Sequence, residues 1–386
     1  MTGAFVAGVG ISRFGKRLPG SIWTLGRTAI IDAMADADIH PRQVGMLICA
    51  TARSGSLIGR ENGVGHLLAG DCGIRQVPIF DVKAHCASGA VAFNIASTYI
   101  AAGQCDVAVA VGLERMSNRK GKGHLLTADG MEAEGDQGFT PAAYFAMMAQ
   151  QHMLTYGTTR EQLAQVAVKN RLAGSLNDKA QYRQPVHLGE VLASPVVADP
   201  LGLYDCCPTG DGAAAAVLVS SRAAGRARQG GPVRVAASVL ATGSYAPMPD
   251  MTAVSADSRA AAQAYQQAGL GPADVEVAEV HDAFTISELV HYEDLGFCAK
   301  GEAGALVQAG VSGLGGRLPV NPSGGLLSRG HPLGATGIAQ ITEIVQQLRG
   351  ACGARQAGHP RVGLTQVSGG FAANEVATSG VTVLVR

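Results

Sequence analysis

The stretch Asp81-Val82-Lys83-Ala84-His85-Cys86-Ala87-Ser88-Gly89-Ala90 decides how this chain is read. The apolar run Val77 to Val82 predicts a short strand leading into it. The small-residue run Gly89 to Ala102 predicts a buried helix leading out. Cys86 therefore stands at a strand-to-helix corner, at the positive end of a helix dipole with free backbone N–H groups nearby. That setting favours thiolate, the nucleophilic form of cysteine. A cysteine is otherwise a small hydrophobe, so the packing alternative stands until a chemical partner is found.

The partner comes from a repeat. Phe5 to Val9 and Val233 to Ala237 both read as opening strands. The segment Thr28 to Cys49 reads helix, turn at His40-Pro41, then strand Val44 to Cys49; Ser258 to Val280 repeats it, with the turn at Gly271-Pro272 and the strand Val275 to Val280. Ala33, Ile39, Pro41 and Val44 align without a gap on Ala264, Leu270, Pro272 and Val275. After Cys86 come a helix and the strand Val107 to Val111. After His331 come Gly334-Ala335-Thr336-Gly337, a helix through Leu348, and the strand Arg361 to Thr365. Each half thus reads β-α-β, the unit of parallel sheet, with Cys86 and His331 at equivalent corners.

The halves take residues 1–115 with 200–225 and residues 232–386. Residues 116–199 read as an inserted loop subdomain that can lie over the site, with helices Pro141 to Tyr156 and Thr159 to Ser175. Thr158 or Thr159, with Glu161 and Gln162, supplies the second helix's N-terminal cap. Asp211-Gly212 leads into a last buried strand, Ala213 to Ser220, and Ala223 to Gly231 is the linker.

Composition narrows the class. The chain has 386 residues, with 30 Lys+Arg against 30 Asp+Glu, so neither nucleic acid nor a strongly anionic surface is called for. Arg115 to Lys122 forms a local basic group that reads as a solvated loop. Eight scattered cysteines without a CxxC imply a reducing, cytoplasmic setting, and the adjacent Cys206 and Cys207 suggest neither a mutual disulfide nor a metal site. The N-terminus does not read as a secretory signal, nor Leu384-Val385-Arg386 as a peroxisomal address. The apolar stretch Val91 to Val111 is broken by Asn94, Gln104 and Asp106 and is not expected to span a membrane. Gly8-Val9-Gly10 lacks the third glycine of a dinucleotide loop, and the histidines show no metal-ligand spacing. The 52 glycines and the abundant alanine suit helices packed closely in a buried central layer.

Four segments converge, each after a strand or at a helix start, where α/β sheets place their ligands: Cys86-Ala87-Ser88, His281-Asp282-Ala283-Phe284, Asn321-Pro322-Ser323-Gly324-Gly325 with Gly330-His331-Pro332, and Gln366-Val367-Ser368-Gly369-Gly370. This set resembles the thiolase superfamily, and within it the sterol-carrier-protein-type (lipid-transfer) thiolases. Cys-x-Ser matches the family nucleophile and Gly-His-Pro its second motif, while His-Asp-x-Phe marks the subgroup. Tyr156 to Leu163, continuing through Ala167-Val168-Lys169-Asn170-Arg171 to Ala180-Gln181-Tyr182-Arg183, resembles the subgroup's inserted domain. The resemblance covers essentially the whole chain.

It implies a layered αβαβα fold from two duplicated halves, and an acyltransferase in which Cys86 takes the acyl group of a coenzyme A thioester. His331 would activate Cys86, and His281 would hold the acceptor's enolate oxygen. Backbone N–H groups at Cys86 and around Gly369 and Gly370 would form an oxyanion hole, worth about 3 kcal/mol per donor. Asn321 would shape the site near His331, Ser88 would tie the helix start, Asp282 would act as a local cap and Phe284 as core. No bound cofactor or metal is implied; coenzyme A enters as substrate. A homodimer or homotetramer is implied, and a small OB-fold, zinc-ribbon partner protein.

One departure matters. The family's second, acid/base cysteine is missing: Gln366-Val367-Ser368 stands where Cys-x-Gly is common, and Ala283 where some subgroup members carry cysteine. Such a group is worth roughly 10²–10⁴-fold. Acylation of Cys86 does not need it, so acyl transfer is expected ahead of degradative 3-ketoacyl-CoA cleavage. Two alternatives stay open: a retro-aldolase of the same fold acting on steroid-type acyl-CoA, which the presence of Cys86 and His281 opposes, and a non-catalytic lipid-binding or scaffold subunit.

Overall fold

The computed structural model describes residues 3–60, 62–117, 139–224, 231–244, 250–372 and 375–386. Most of the basic group Arg115 to Lys122, the start of the inserted subdomain and most of the linker Ala223 to Gly231 lie outside them. The strands are β1 (Ala4–Ile11), β2 (Met46–Ala50), β3 (Ile79–Val82), β4 (Val107–Arg115), β5 (Val196–Ala198), β6 (Leu201–Gly202), β7 (Asp211–Ser220), β8 (Val233–Ala241), β9 (Val277–Glu279), β10 (Val362–Ala372) and β11 (Glu375–Val385). All but the small β5–β6 ribbon join one sheet in the order β3-β2-β4-β7-β1-β8-β11-β10-β9.

That order reads the same from both ends. β3-β2-β4-β7-β1 is matched by a bridge at Val320, then β9-β10-β11-β8. Helix Ile22–Ala37 ends on left-handed Asp38, and helix Ser255–Ala268 ends on left-handed Gly269. Short 3-10 turns begin at Pro41 and Pro272, and strands at Met46 and Val277. The members of each pair (38 and 269, 41 and 272, 46 and 277) are 231 residues apart. The alignment read from the sequence has that same spacing.

The parallel expectation holds only at the flanks. β2 runs parallel to β3 and β4, and β9 runs parallel to β10. The central pairings β4–β7, β7–β1, β1–β8, β8–β11 and β11–β10 are antiparallel. β11 follows β10 almost at once and β7 returns from the insertion, so neither needs the helical crossover that a parallel neighbour requires.

Successive residues of a strand face opposite sides, and β7 shows the layers directly. Its Ala213, Ala215, Val217 and Val219 join the core under helices Ile22–Ala37 and Val64–Asp71. Its Ala214, Ala216 and Leu218 face the other way, onto helices Ser88–Ala101 and Thr336–Arg349. In the second half Leu384 faces these same two helices, while Val381 and Val383 join the core under helix Ser255–Ala268. The result is αβαβα, with two helices in the middle layer.

Those two middle helices touch through glycine. A Cβ on Gly89 would lie 2.9 Å from Ile338 N, and one on Gly337 would lie 2.5 Å from Ala90 N. Any larger residue would hold the backbones apart, so close approach requires glycine there. Because the contact falls in the first turn of each helix, it draws their start points together. Cys86 and His331 precede those starts.

Helices Pro141–Tyr156 and Arg160–Ser175 pack on the second half; Tyr144, Met148, Leu163 and Val166 share a core with Val280, Phe284 and Ile286. Thr159 caps the second of them with Gln162 in a reciprocal box. Among the described residues no helix is long and apolar enough to cross a membrane.

Candidate active site

The Cys86 corner is tied by Ser88. Its Oγ accepts from Ala84 N (2.8 Å) and donates to His85 O (2.6 Å), in the helix-start role expected of it. The corner lies directly on β10. A Cβ at Gly369 would strike the Ala84 carbonyl and Ala87 N, and one at Gly370, where φ is +66°, would strike the His85 ring. The glycine pair is therefore strand rather than turn, and it is needed so that the loop can seat against it.

His331 Nε2 stands 3.3 Å from Cys86 Sγ. Its Nδ1 lies 2.8 Å from Thr336 Oγ1, and that hydroxyl donates to Pro332 O (3.1 Å). The hydroxyl proton is spent on Pro332, so Thr336 must accept from Nδ1–H. This fixes the tautomer and leaves the Nε2 lone pair facing the thiol.

The electrostatics correct the expectation of a resting thiolate. Burial, with a further push from the Glu114 carboxyl, raises the Cys86 thiol to about 12; N–H groups of Cys86 itself and of Gly370 pull it back only in part. Burial, then Arg329, lowers His331 to about 3. Desolvation outweighs the helix start because it acts on the whole charge, whereas the dipole supplies a partial one. At neutral pH the pair is thiol and neutral imidazole.

His281 ends the connection from β9. Its ring is 5.1 Å from that of His331, nearly perpendicular, and its backbone N–H donates to Gln366 Oε1 (3.0 Å). Its Nδ1 is buried with no hydrogen-bond partner among the described residues. Burial, then the two histidines His331 and His291, hold it well below the ordinary imidazole range, so it too is neutral. Gln366 is a strut: its amide donates to Ser368 Oγ (2.8 Å), and Ser368 reaches Asp257 (3.2 Å).

Asn321 does not take the substrate-binding place expected of it. It is fully buried, accepts from Val280 N (2.9 Å) and donates to Glu288 Oε2 (2.7 Å). Both ends of the amide are used inside the frame that carries His281, and it lines no part of the cavity. The same frame contains Asp282, which accepts from Leu326 N, Leu327 N and Asn170 Nδ2 and so caps the Gly325–Ser328 turn.

Cys86, His281, His331, Gly369 and Gly370 all line one cavity of about 530 Å³. Its apolar wall is aromatic: Phe145 stacks on Phe284 at 4.5 Å, and Phe371 lies 4.4 Å from Tyr144. Helical spacing alone points Phe145 to core, and no motif marks Phe371 on β10 as lining. Cys206 and Cys207 also line it. Cys207 N donates to Ala283 O (2.9 Å), which sets that thiol beside the position where the subgroup's cysteine is missing. Burial pushes Cys207 well above its ordinary range, so it stays a thiol.

A cysteine and a histidine brought together from equivalent corners of a duplicated, five-layered α/β fold define an acyl-transferring enzyme. Residues 13–222 match the thiolase N-terminal domain and residues 237–382 the thiolase C-terminal domain-like model, and the chain belongs to the thiolase family. It is 40% identical over 368 residues to an acetyl-CoA acetyltransferase of Methanothermobacter thermautotrophicus, covering 95% of this chain and 96% of that one. It is 37% identical to the benzoylsuccinyl-CoA thiolase subunit BbsB of Thauera aromatica, covering 95% and 94%. It is 35% identical to sterol carrier protein 2 of Gallus gallus, covering 92% of this chain and 68% of that protein. The structure of an Ltp2-ChsH2(DUF35) aldolase superposes with a TM-score of 0.84 at 29% identity, covering 99% and 98%.

Proposed function

We propose that the chain transfers an acyl group from a coenzyme A thioester through a covalent thioester on Cys86. The observation that carries this is His331 Nε2, 3.3 Å from Cys86 Sγ at the foot of an aromatic-walled cavity. As Sγ approaches the substrate carbonyl, Nε2 takes the thiol proton; the S–C bond forms and the carbonyl becomes an oxyanion. The N–H groups of Cys86 and Gly370, which bond toward the sulfur, would receive it. Collapse expels the coenzyme A thiolate, which leaves with the proton held on His331. His331 is then neutral again beside the acyl-enzyme.

The second half-reaction uses the same base. The acceptor's α-proton passes to His331, and His281 holds the acceptor's enolate oxygen. The new C–C bond releases the Cys86 sulfur, which recovers its proton from His331. In this scheme the two neutral histidines stand in for the missing second cysteine.

We further propose that residues 1–115 with 200–225 and residues 232–386 form the two halves and that the insertion 116–199 lies over the site, a reading supported by Thr140, Pro141 and Phe145 in the cavity lining. We also propose a cytoplasmic homodimer or homotetramer and a small OB-fold, zinc-ribbon partner. The DUF35 complex of one relative and the subunit status of another support the partner. The deciding experiment is mass spectrometry after incubation with acetyl-CoA and longer acyl-CoAs. An acyl adduct that disappears in Cys86→Ala is the expected result. No adduct from any donor would overturn the proposal in favour of an aldolase or a non-catalytic subunit.

A further inference from the structure

We propose that Cys86, His281 and His331 form a zinc-binding site that holds the enzyme in a reversible, inhibited state. This rests on the reading of Cys86 as the nucleophile, because the metal would occupy the same sulfur. Spacing along the sequence predicts no metal site, since the three residues come from distant stretches. In the fold, one ligand atom from each lies within 4.8 Å of the other two. Tetrahedral zinc with bonds of about 2.0–2.3 Å sets its ligand atoms about 3.5 Å apart. The Sγ to Nε2 distance of 3.3 Å already meets that spacing, and a ring nitrogen of His281 lies within 4.8 Å of both atoms.

The donors are in the right state. Thr336 fixes the His331 tautomer with its Nε2 lone pair toward the sulfur. His281 Nδ1 is buried with no hydrogen-bond partner among the described residues. Two nitrogens and one thiolate suit zinc, and the cavity leaves a fourth position open to water. Zinc binds as the Cys86 S–H bond breaks: one Zn–S bond forms and one proton goes to solvent.

A second cluster, Asp257, His291 and Asp294, falls within the same 4.8 Å limit but is already occupied by protein. His291 Nδ1 pairs with Asp257 at 2.7 Å, Asp257 also receives the Ser379 hydroxyl, and Asp294 receives Lys300 Nζ and Val254 N. It is an internal ion-pair network. The Cys86 cluster differs in opening on the cavity, which Cys86, His281 and His331 all line.

The test is titration of chelator-treated wild-type protein with Co²⁺ and then Zn²⁺. One equivalent of cobalt per chain is expected to give a thiolate-to-cobalt charge-transfer band and the strong visible bands of a four-coordinate ion, both removed by zinc. About one proton should leave per metal bound. Zinc should block acetylation of Cys86, and chelator should restore it. His281→Ala and His331→Ala should each weaken metal binding at least about tenfold. A wild-type protein with no thiolate–cobalt band overturns the proposal, as does zinc inhibition unchanged in His281→Ala. Acetylation of the metal-free enzyme is scored separately: an adduct without a cobalt band sinks the zinc site alone, and absence of the adduct sinks the acyltransfer reading.

Discussion

Ser88 and Thr336 are the first residues of the two middle helices, and each hydroxyl ties its own corner. Ser88 bonds only backbone, joining Ala84 N and His85 O. Thr336 bonds the Pro332 carbonyl and the His331 ring. One device thus serves two ends. On the first side it holds the loop that presents a sulfur; on the second it also sets which ring nitrogen is basic. A duplicated scaffold becomes a chemical pair through one extra hydrogen bond.

The comparison can be broken hardest at His331. His331→Ala should slow acylation of Cys86 by about 10²–10⁴-fold, read as the rate of mass gain from acetyl-CoA, while the thiol remains alkylatable. An unchanged rate would remove His331 from the proton path. Next comes Thr336→Val, which frees the tautomer and should cost about 10–100-fold in the same rate. Ser88→Ala, its counterpart, should instead lower stability by about 1 kcal/mol in denaturant unfolding and slow acylation less than Thr336→Val does. Equal kinetic effects from the two would erase the distinction drawn between the corners.

His281→Ala separates the two half-reactions. The acyl adduct on Cys86 should persist, while exchange of acetyl-CoA methyl hydrogens in heavy water and product formation fall by about 10²-fold or more. Gly337→Ala tests the joint between the corners. Its Cβ would meet Ala90 N at 2.5 Å, so a loss of about 1–3 kcal/mol is expected, with slower acylation as the sulfur and nitrogen separate.

A pH-dependent effect concerns Glu114, whose carboxyl accepts from Ala52, Arg53 and Gly334 and is raised by burial to about 7. Because its folded value exceeds its unfolded one, the native state holds the extra proton between about 4.5 and about 7. Its contribution to stability therefore falls as pH rises through that window and is level above it. Glu114→Gln should flatten this slope. It should also speed alkylation of Cys86 at pH 8 by up to about tenfold, since the carboxylate pushes the thiol up.

Much of this was legible in the sequence. The helix Pro141–Tyr156 was read to the residue, because Thr140-Pro141 opens it and Gly157 closes it. The repeat was legible because its turns carry punctuation, His40-Pro41 and Gly271-Pro272, at one spacing. What stayed hidden depends on burial and on contacts between distant residues. Asn321 stands in a motif but spends its amide on Val280 and Glu288, and no local pattern reveals that. The antiparallel centre is not legible because strand direction is set by connections rather than by apolar runs. The state of the Cys86 thiol is hidden because a helix start is visible in sequence, whereas desolvation inside a cavity is not.

The sheet is continuous, yet among the described residues its halves pair only where Phe5 faces Arg234 and Val6 faces Val233. This seam is short compared with the β10–β11 and β4–β7 ladders. Alignment of sulfur with nitrogen thus falls to packing across the halves: the glycine contact between the two middle helices, the seating of the Cys86 loop on Gly369 and Gly370, and the bond from Gly334 N to Glu114. Reactivity in this protein is a property of how two bodies are seated, and neither body carries it alone. A ligand or substitution that shifted that seating by a fraction of an ångström would tune the rate without touching any group in the cavity.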